Sequence, residues 1–236
     1  MTERKTDKNK KKINVKTFPV QFDLKEIKEN ITISTNTPSK SSKEELISKA
    51  FKFHLEGNSL EARKNYQNFI NQGFKDYMVF YNYGILLKED GDLEKAEVIT
   101  RKAIKLNPKY GESYNSLGAI LSSFGKFNDA EVLIRKAIEL KPNLAEAYSN
   151  LGIILKNDGR ITEAEFLQRK AIKIKPDLAV AHSNLSNILR DYGRLEEAEL
   201  FQRKAININP KSATFYSNLG AILIDLCKPK DALYAY

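Results

Sequence analysis

Apolar residues recur at intervals of three and four along most of this chain, and short polar segments separate the apolar stretches. The stretch YNSLGAILSSFG, which ends at Gly125, has this spacing, and so does the stretch that follows it, KFNDAEVLIRKAIEL. Such an interval places apolar side chains on one face of an α-helix. A glycine between two such stretches allows the chain to end one helix and reverse direction. The pattern therefore predicts pairs of antiparallel amphipathic helices.

The helical pair repeats with a period of 34 residues from Tyr77 onward. Glycines that follow the first helix and prolines that follow the second keep this period: Gly91, Gly125, Gly159 and Gly193, and Pro108, Pro142, Pro176 and Pro210. A proline has no amide hydrogen and disfavours the helical conformation of the residue before it, so it ends the second helix. Each unit is predicted to be a helix, a turn, a second helix and another turn.

Small residues also keep the period. Glycine stands in the middle of four predicted first helices, at Gly84, Gly118, Gly152 and Gly220, and Ser186 takes this place in a fifth. A glycine inside a helix costs about 1 kcal/mol relative to alanine, so its repetition predicts close approach of another helix. Alanines of the second helices are expected to provide the flat surface that packs against these glycines: Ala96, Ala130, Ala164, Ala198 and Ala232, with Ala103, Ala137, Ala171 and Ala205.

A 34-residue unit with an aromatic residue, Leu-Gly, two alanines and a proline at fixed positions resembles the tetratricopeptide repeat. The resemblance implies an all-α fold, a right-handed α-solenoid of antiparallel helix pairs. Four full units are expected at residues 77–110, 111–144, 145–178 and 179–212. Residues 43–76 are expected to form a degenerate N-terminal unit, with Phe74 in place of the proline, and residues 213–236 an incomplete C-terminal unit.

The N-terminal residues have a different composition. Residues 1–42 contain ten Lys and Arg against five Asp and Glu, which is more than half of the net charge of +9. Their low apolar content predicts disorder. Ser42 and Glu45 have the spacing of a capping box, which predicts that helical structure begins there. The chain shows neither a signal peptide nor a membrane span, and its single cysteine fits a reducing compartment, so we expect a soluble, cytoplasmic protein.

The sequence shows no enzyme active site. His182 occupies a position at which other units have tyrosine, which favours a packing role, and His54 has no paired nucleophile. Cys227 stands at the position of a turn glycine. The chain contains no phosphate-binding loop, metal-ligand cluster or nucleophile elbow. We therefore expect neither catalysis nor a cofactor.

Arg-Lys pairs recur on the second helices. They lie at residues 101–102, 135–136, 169–170 and 203–204, and a glutamate precedes each arginine by four residues: Glu97, Glu131, Glu165 and Glu199. This spacing is favourable for an ion pair within a helix. The pattern predicts a solvated, self-neutralised face and not a track for nucleic acid, which needs unopposed positive charge and stacking aromatic residues.

The resemblance implies that the first helices line a concave groove and that the residues before Leu-Gly point into it. These are Asn82, Ser116, Asn150, Asn184 and Asn218, and Asn187 adds a further amide. An asparagine amide can bond both the carbonyl and the amide hydrogen of an extended peptide. The row is similar to the asparagine ladder in the repeat domain of O-linked N-acetylglucosamine transferases. Two interpretations stay open: a ladder that binds a peptide backbone, or a repeat consensus without a binding role.

A second groove chemistry of tetratricopeptide domains, the carboxylate clamp, needs a lysine in the first helix. Its place is taken here by Tyr81, Asn115, Ser149, Ser183 and Ser217, so capture of an acidic C-terminal tail is not expected. We expect a scaffold that binds an extended segment of a partner protein.

Three alternatives remain at this point. The chain could be the substrate-recruiting part of a larger enzyme such as an O-linked glycosyltransferase. It could self-associate through the incomplete C-terminal unit, which would leave the apolar face of the last full unit partly uncovered. Residues 1–12 could bind an anionic surface, and such binding would weaken steeply with salt.

Overall fold

The computed structural model describes residues 42–228, and this part of the chain is all-α. The helices in chain order are α1 Lys43–Leu55, α2 Ser59–Asn71, α3 Tyr77–Glu89, α4 Leu93–Leu106, α5 Gly111–Ser123, α6 Phe127–Leu140, α7 Ala145–Asn157, α8 Ile161–Ile174, α9 Ala179–Asp191, α10 Leu195–Ile208 and α11 Ala213–Asp225. The all-α helical-repeat fold predicted from the sequence is confirmed. Predictions for residues 1–41 and for 229–236, including Ala232, lie outside the described residues.

The helices fall into two compact units that divide between Phe74 and Lys75. The first contains α1 and α2. Ser42 caps α1 as the sequence predicts, because its hydroxyl oxygen accepts a hydrogen bond from the Glu45 amide at 3.1 Å. The Glu45 carboxylate pairs with Lys49. The two helices pack through alanines that are fully buried, Ala50 and Ala62.

The second unit contains α3 to α11, and its helices alternate along the chain. Each second helix packs against the first helix of its own pair and against the first helix of the next pair, and successive first helices also contact one another. A continuous apolar core runs through the middle pairs and includes Leu117, Tyr148, Leu151 and Leu155. No repeat buries its apolar face alone, as is typical of helical-repeat proteins.

The turns have the backbone conformations that the glycines and prolines predict. Gly125, for example, has φ +74°, a conformation that side chains other than glycine rarely adopt. Cys227 takes the equivalent place after α11 and also has a positive φ of 57°, so the backbone requires this conformation whichever residue is present. The residue before each of the four repeat prolines leaves the helical conformation, as at Asn107, where φ is -136°.

Three mid-helix glycines, Gly84, Gly118 and Gly152, lie against a second helix, but the contact differs from the predicted one. A Cβ atom at Gly118 would lie 2.4 Å from Ile134 Cγ1 and 3.1 Å from the Ala130 carbonyl oxygen. Ile134, which lies between Ala130 and Ala137 in the sequence, therefore fills the space with its side chain, and Ala130 contributes its backbone carbonyl. Ser186 fits at the same position because its hydroxyl donates a hydrogen bond of 2.8 Å to the Ala198 carbonyl.

The last described helix is expected to be the least stable part of the second unit. Ser149 and Ser183 are each 3% exposed because the next first helix covers them, whereas the equivalent Ser217 on α11 is exposed. Repeats gain stability from their neighbours, so we expect the amides of α11 to exchange hydrogen much faster than those of α5 to α10. Hydrogen exchange followed by mass spectrometry measures this difference. Equal protection of α9 and α11 would show that another segment or a second chain covers α11.

Candidate functional site

The predicted groove residues all lie on first helices of the second unit. Asn82 and Ser116 are buried, at 9% and 8% exposure. The asparagines of the next three repeats are half-buried, and we call them the asparagine row: Asn150, Asn184 and Asn218. Asn187 lies one turn beyond Asn184 and is also half-buried. The predicted residues therefore fall into a buried group in the first two repeats and a partly accessible group of asparagine amides in the next three.

Each asparagine of the row donates a hydrogen bond to a side chain of the preceding repeat. Asn150 Nδ2 donates to Asn115 Oδ1 at 2.9 Å. Asn184 Nδ2 donates to Ser149 Oγ at 3.1 Å, and Asn218 Nδ2 donates to Ser183 Oγ at 3.1 Å. Each bond joins residues 35 apart, so it connects one first helix to the preceding one. These amides stabilise the contact between repeats and also hold the side chains in one orientation.

A buried glutamine supports this row from behind. Gln168 is fully buried on α8, and its Nε2 donates to the Ser149 carbonyl at 2.9 Å. The Ser149 hydroxyl in turn donates to Gln168 Oε1 at 2.9 Å. Ser149 is thereby fixed as the acceptor for Asn184. Sequence analysis missed Gln168, although its position directly opposite the mid-helix Gly152 is a signal that could have identified it.

Each amide in the asparagine row keeps acceptor capacity. Within the described part of the chain, the Oδ1 atoms of Asn150, Asn184 and Asn218 accept no hydrogen bond, and one Nδ2 hydrogen of each is used by the preceding repeat. Asn82 differs because its Nδ2 donates to the Met78 carbonyl of its own helix at 2.8 Å. The row can therefore accept hydrogen bonds from a ligand at three regularly spaced points.

Ion pairs flank the asparagine row at both ends of the first helices. At the helix starts, Glu146 bonds Lys175 at 2.9 Å. Burial has the largest single effect on the pKa of Glu146 and raises it, but the hydrogen bond from Lys175, a backbone hydrogen bond and the charges of Lys175 and Lys141 together hold the pKa below the ordinary value. At the helix ends, Lys156 bonds Asp191 of the next repeat at 2.8 Å. The charges beside the row are thus largely neutralised within the chain.

The outer face of the second helices carries shared ion pairs. The predicted pairs within helices form, as between Glu131 and Arg135 at 2.7 Å. The structure adds pairs between repeats that the sequence did not predict: Arg135 also bonds Glu163, and Arg160 bonds both Glu131 and Glu163. We call such a four-residue set a charge ring. The same ring forms one repeat later from Glu165, Arg169, Glu197 and Arg194.

Removing one member of a charge ring is expected to have a small, pH-dependent effect. The hydrogen bonds from Arg135 and Arg160 hold the pKa of Glu163 below its ordinary value of 4.5. A lowered pKa stabilises the fold above the unfolded-state pKa, and this contribution disappears as the pH falls through the folded-state value. We expect Glu163→Gln to lower the free energy of unfolding by a few tenths of a kcal/mol at neutral pH, because exposed pairs contribute little. Once the pH is below the folded-state pKa of Glu163, the difference should vanish.

Denaturant unfolding at several pH values measures this effect, and Glu139→Gln is the matched control. Glu139 pairs only with Lys136 within residues 42–228, and the Glu139 side chain is 69% exposed. The control should show a smaller change at neutral pH. An equal change in the two variants would mean that the ring adds nothing to a single exposed pair.

The residues considered for chemistry have structural roles. His182 is buried, and its Nε2 lies 2.8 Å from the Pro176 carbonyl oxygen. Tyr148 makes the equivalent bond with its hydroxyl to the Pro142 carbonyl at 3.0 Å, which confirms that the histidine takes a tyrosine position. Cys227 is exposed and free. Across residues 42–228, no cluster of metal-ligating side chains is present, and no helix is long and apolar enough to span a membrane.

Comparison with known families agrees with this architecture. Two models described as the tetratricopeptide repeat match the chain, one at residues 100–132 and 133–166 and the other at residues 79–110 and 179–212. The matched segments together cover just over half of the chain. The chain belongs to the tetratricopeptide repeat family. No curated protein sequence matches this tetratricopeptide repeat protein.

Solved structures show the same fold at low sequence identity. A thermophilic tetratricopeptide repeat protein of Thermus thermophilus aligns with a TM-score of 0.67 and 18% identity, over 78% of this chain and 100% of that one. The protein pilF of Pseudomonas aeruginosa aligns with a TM-score of 0.66 and 12% identity, over 82% and 88% of the two chains. A tetratricopeptide repeat protein of Parabacteroides merdae gives a TM-score of 0.60 and 17% identity, over 82% and 77%.

The positions of a carboxylate clamp have other roles in this tetratricopeptide repeat protein. Ser149 and Ser183 are buried acceptors for the asparagine row, and Asn115 accepts from Asn150. Tyr81 is buried, and its ring packs edge-on against Tyr110 with centroids 5.2 Å apart. None of the clamp positions carries a cation, and all of them except Ser217 are occupied by bonds or packing within the protein.

Proposed function

We propose that this tetratricopeptide repeat protein is a scaffold that binds an extended segment of a partner protein along its first helices. The observation that carries the proposal is the asparagine row. Its three amides, in consecutive repeats, are held by the preceding repeat and keep an Oδ1 atom without a bond inside the described part of the chain. A fixed acceptor loses less conformational entropy on binding than a mobile one, which favours binding.

The spacing of the row suits an extended backbone. Neighbouring packed helices lie about 8–10 Å apart, and an extended chain advances about 3.3 Å per residue. A polyproline II segment has three residues per turn, so every third backbone amide of such a segment faces the same side, about 9 Å apart, and successive asparagines can accept from these amides. Binding through the backbone places few demands on the partner's side chains, so the proposal predicts tolerance of sequence changes and sensitivity to proline, which has no amide hydrogen.

The resemblance to the asparagine ladder of O-linked N-acetylglucosamine transferases supports the proposal but covers only part of the set of groove residues predicted from the sequence. Ser116 interrupts it, and the Asn82 amide is bonded within its own helix. The proposed site is therefore the segment from Asn150 to Asn218, with Asn187 as a further contact, and not the full length predicted from the sequence.

Photo-crosslinking from the full-length protein tests the proposal. A photoreactive residue at Ile153, half-buried one turn after Asn150 on the first helix, should capture the partner. The same residue at Phe166, exposed on the outer side of the second helix, is the control. Mass spectrometry of the cross-linked peptide should identify one extended segment captured from position 153. A partner other than a second copy of this chain, captured only from position 166, would exclude the groove as the binding site.

A further inference from the structure

The outer face of the second helices exposes an apolar side chain at the same position of four consecutive repeats. These residues are 54%, 68%, 63% and 52% exposed, and we call them the apolar ladder: Val98, Val132, Phe166 and Leu200. The alanines two residues before them are fully buried on the opposite side of the same helices. A row of exposed apolar residues marks an interaction surface, whereas scattered ones do not.

The two sides of the apolar ladder differ in chemistry. Four residues after each ladder position stands an exposed lysine: Lys102, Lys136, Lys170 and Lys204. Four residues before each ladder position stands an exposed side chain with an oxygen acceptor: Glu94, Asn128, Thr162 and Glu196. Because residues four apart lie on one face of a helix, each second helix presents an acceptor, an apolar residue and a lysine in line.

Several of these charges lack a partner within the chain. Among residues 42–228, Glu94, Glu196 and Lys102 form no ion pair, although the neighbouring Glu97 and Glu199 are paired with arginines. Lys204 lies over the Phe201 ring at 5.1 Å and has no carboxylate partner in this part of the chain. The outer face therefore contains uncompensated charge of both signs on opposite sides of an apolar row.

We propose that this face binds a second copy of the same chain. In a two-fold dimer whose axis runs along the apolar ladder, each second helix lies antiparallel to its counterpart. A residue four positions before the ladder then faces the residue four positions after it in the other copy. Ladder residues next to the axis meet their own copies, and each lysine there meets an oxygen acceptor. The surface is self-complementary, as a two-fold interface requires.

The residues three positions from the ladder agree with this arrangement. Asp129, Glu163 and Glu197 come three residues before ladder positions, and an arginine comes three residues after every ladder position. The two-fold axis brings these acids toward arginines of the other copy, but Glu163, Glu197 and the arginines already pair within their own chain, so these contacts add little. Lys95 is the exception, since it faces Arg101, but both are paired within their own chain.

The alternative two-fold axis, parallel to the second helices, is excluded by charge. It would place the lysines of one copy against the lysines of the other, and like charges brought together at an interface weaken association strongly. The two possible dimers therefore differ in charge pairing, and only the axis along the ladder is favourable. This interface involves neither the asparagine row nor α11, so its test is independent of the proposed function.

Disulfide trapping in the full-length protein tests the geometry. In a Cys227→Ser background, Phe166→Cys places a cysteine next to the two-fold axis, so mild oxidation should give a covalent dimer. Lys173→Cys, exposed on the same helix but two turns from the ladder, is the control and should give no covalent dimer. A covalent bond requires Cα atoms within about 7 Å. Equal cross-linking of the two variants would contradict the proposed axis.

Charge reversal tests the pairing with sedimentation equilibrium as the readout. Glu196→Lys or Lys204→Glu alone should weaken the dimer at least about tenfold, because each places like charges together at two symmetric points. The double variant restores opposite charges and should dimerise within a few-fold of the native chain. Phe166→Glu should also weaken the dimer at least about tenfold, and circular dichroism confirms that it is folded.

Three outcomes would overturn the proposal. The first is a monomer mass at every protein concentration. The second is a dimer that persists unchanged in Phe166→Glu, which would place the contact elsewhere, such as on α11. The third is a double charge variant as weak as the single ones, which would show that Glu196 and Lys204 do not pair between copies.

Discussion

Gly152→Leu is expected to lower the free energy of unfolding by about 3 kcal/mol or more. A Cβ atom at this position would lie 2.6 Å from Gln168 Nε2 and 3.3 Å from the Ala164 carbonyl oxygen. Gln168 cannot move away without breaking both of its hydrogen bonds to Ser149. The substitution therefore combines overpacking with the loss of buried hydrogen bonds. Thermal and denaturant unfolding of the full-length protein measure the cost.

Gly152→Ser is the matched control for this substitution. Ser186 occupies the same repeat position, where its hydroxyl bonds the carbonyl of Ala198. Ala164 is the equivalent acceptor for a serine at position 152, so this variant should lose clearly less stability than Gly152→Leu. If both variants melted at the temperature of the native protein, the close approach of the two helices would have no energetic consequence and the packing account would be wrong.

Replacing Asn150, Asn184 and Asn218 together by alanine is expected to weaken partner binding by roughly 2–4 kcal/mol. Each amide contributes about 0.5–1.5 kcal/mol, so a single change gives a small effect. The same change removes three hydrogen bonds between repeats, so it also lowers the free energy of unfolding. Calorimetry with the captured segment, at a temperature where the variant is fully folded, measures binding alone.

Two variants separate binding from stability in this experiment. Ser183→Ala breaks the same bond as Asn218→Ala but leaves the amide in place, so it should reduce stability and weaken binding less than Asn218→Ala does. Changing Arg135, Arg169 and Arg203 to glutamine alters the outer face only. Should the arginine set abolish binding while the asparagine set has no effect, the groove would not be the binding site.

The sequence by itself determined the elements and their order. The period of glycines and prolines predicted every turn of the four full units, because the φ of Gly125 and the conformation before Pro108 depend on local backbone chemistry. The pair of Glu131 and Arg135 was predicted for the same reason, since its spacing within one helix fixes the distance. The positions of the groove asparagines on equivalent helical sites followed from the period as well.

Only the tertiary structure decided how the repeats meet. The bond from Asn184 to Ser149 and the pair between Arg135 and Glu163 join residues 35 and 28 positions apart. Such distances depend on the rotation and translation between repeats, which the packing of side chains sets and a sequence period does not. The packing between helices also determines that Gln168 is the side chain opposite Gly152. The sequence therefore identified which residues lie along the first helices, and the packing between repeats determined which of their hydrogen-bonding atoms remain for a partner.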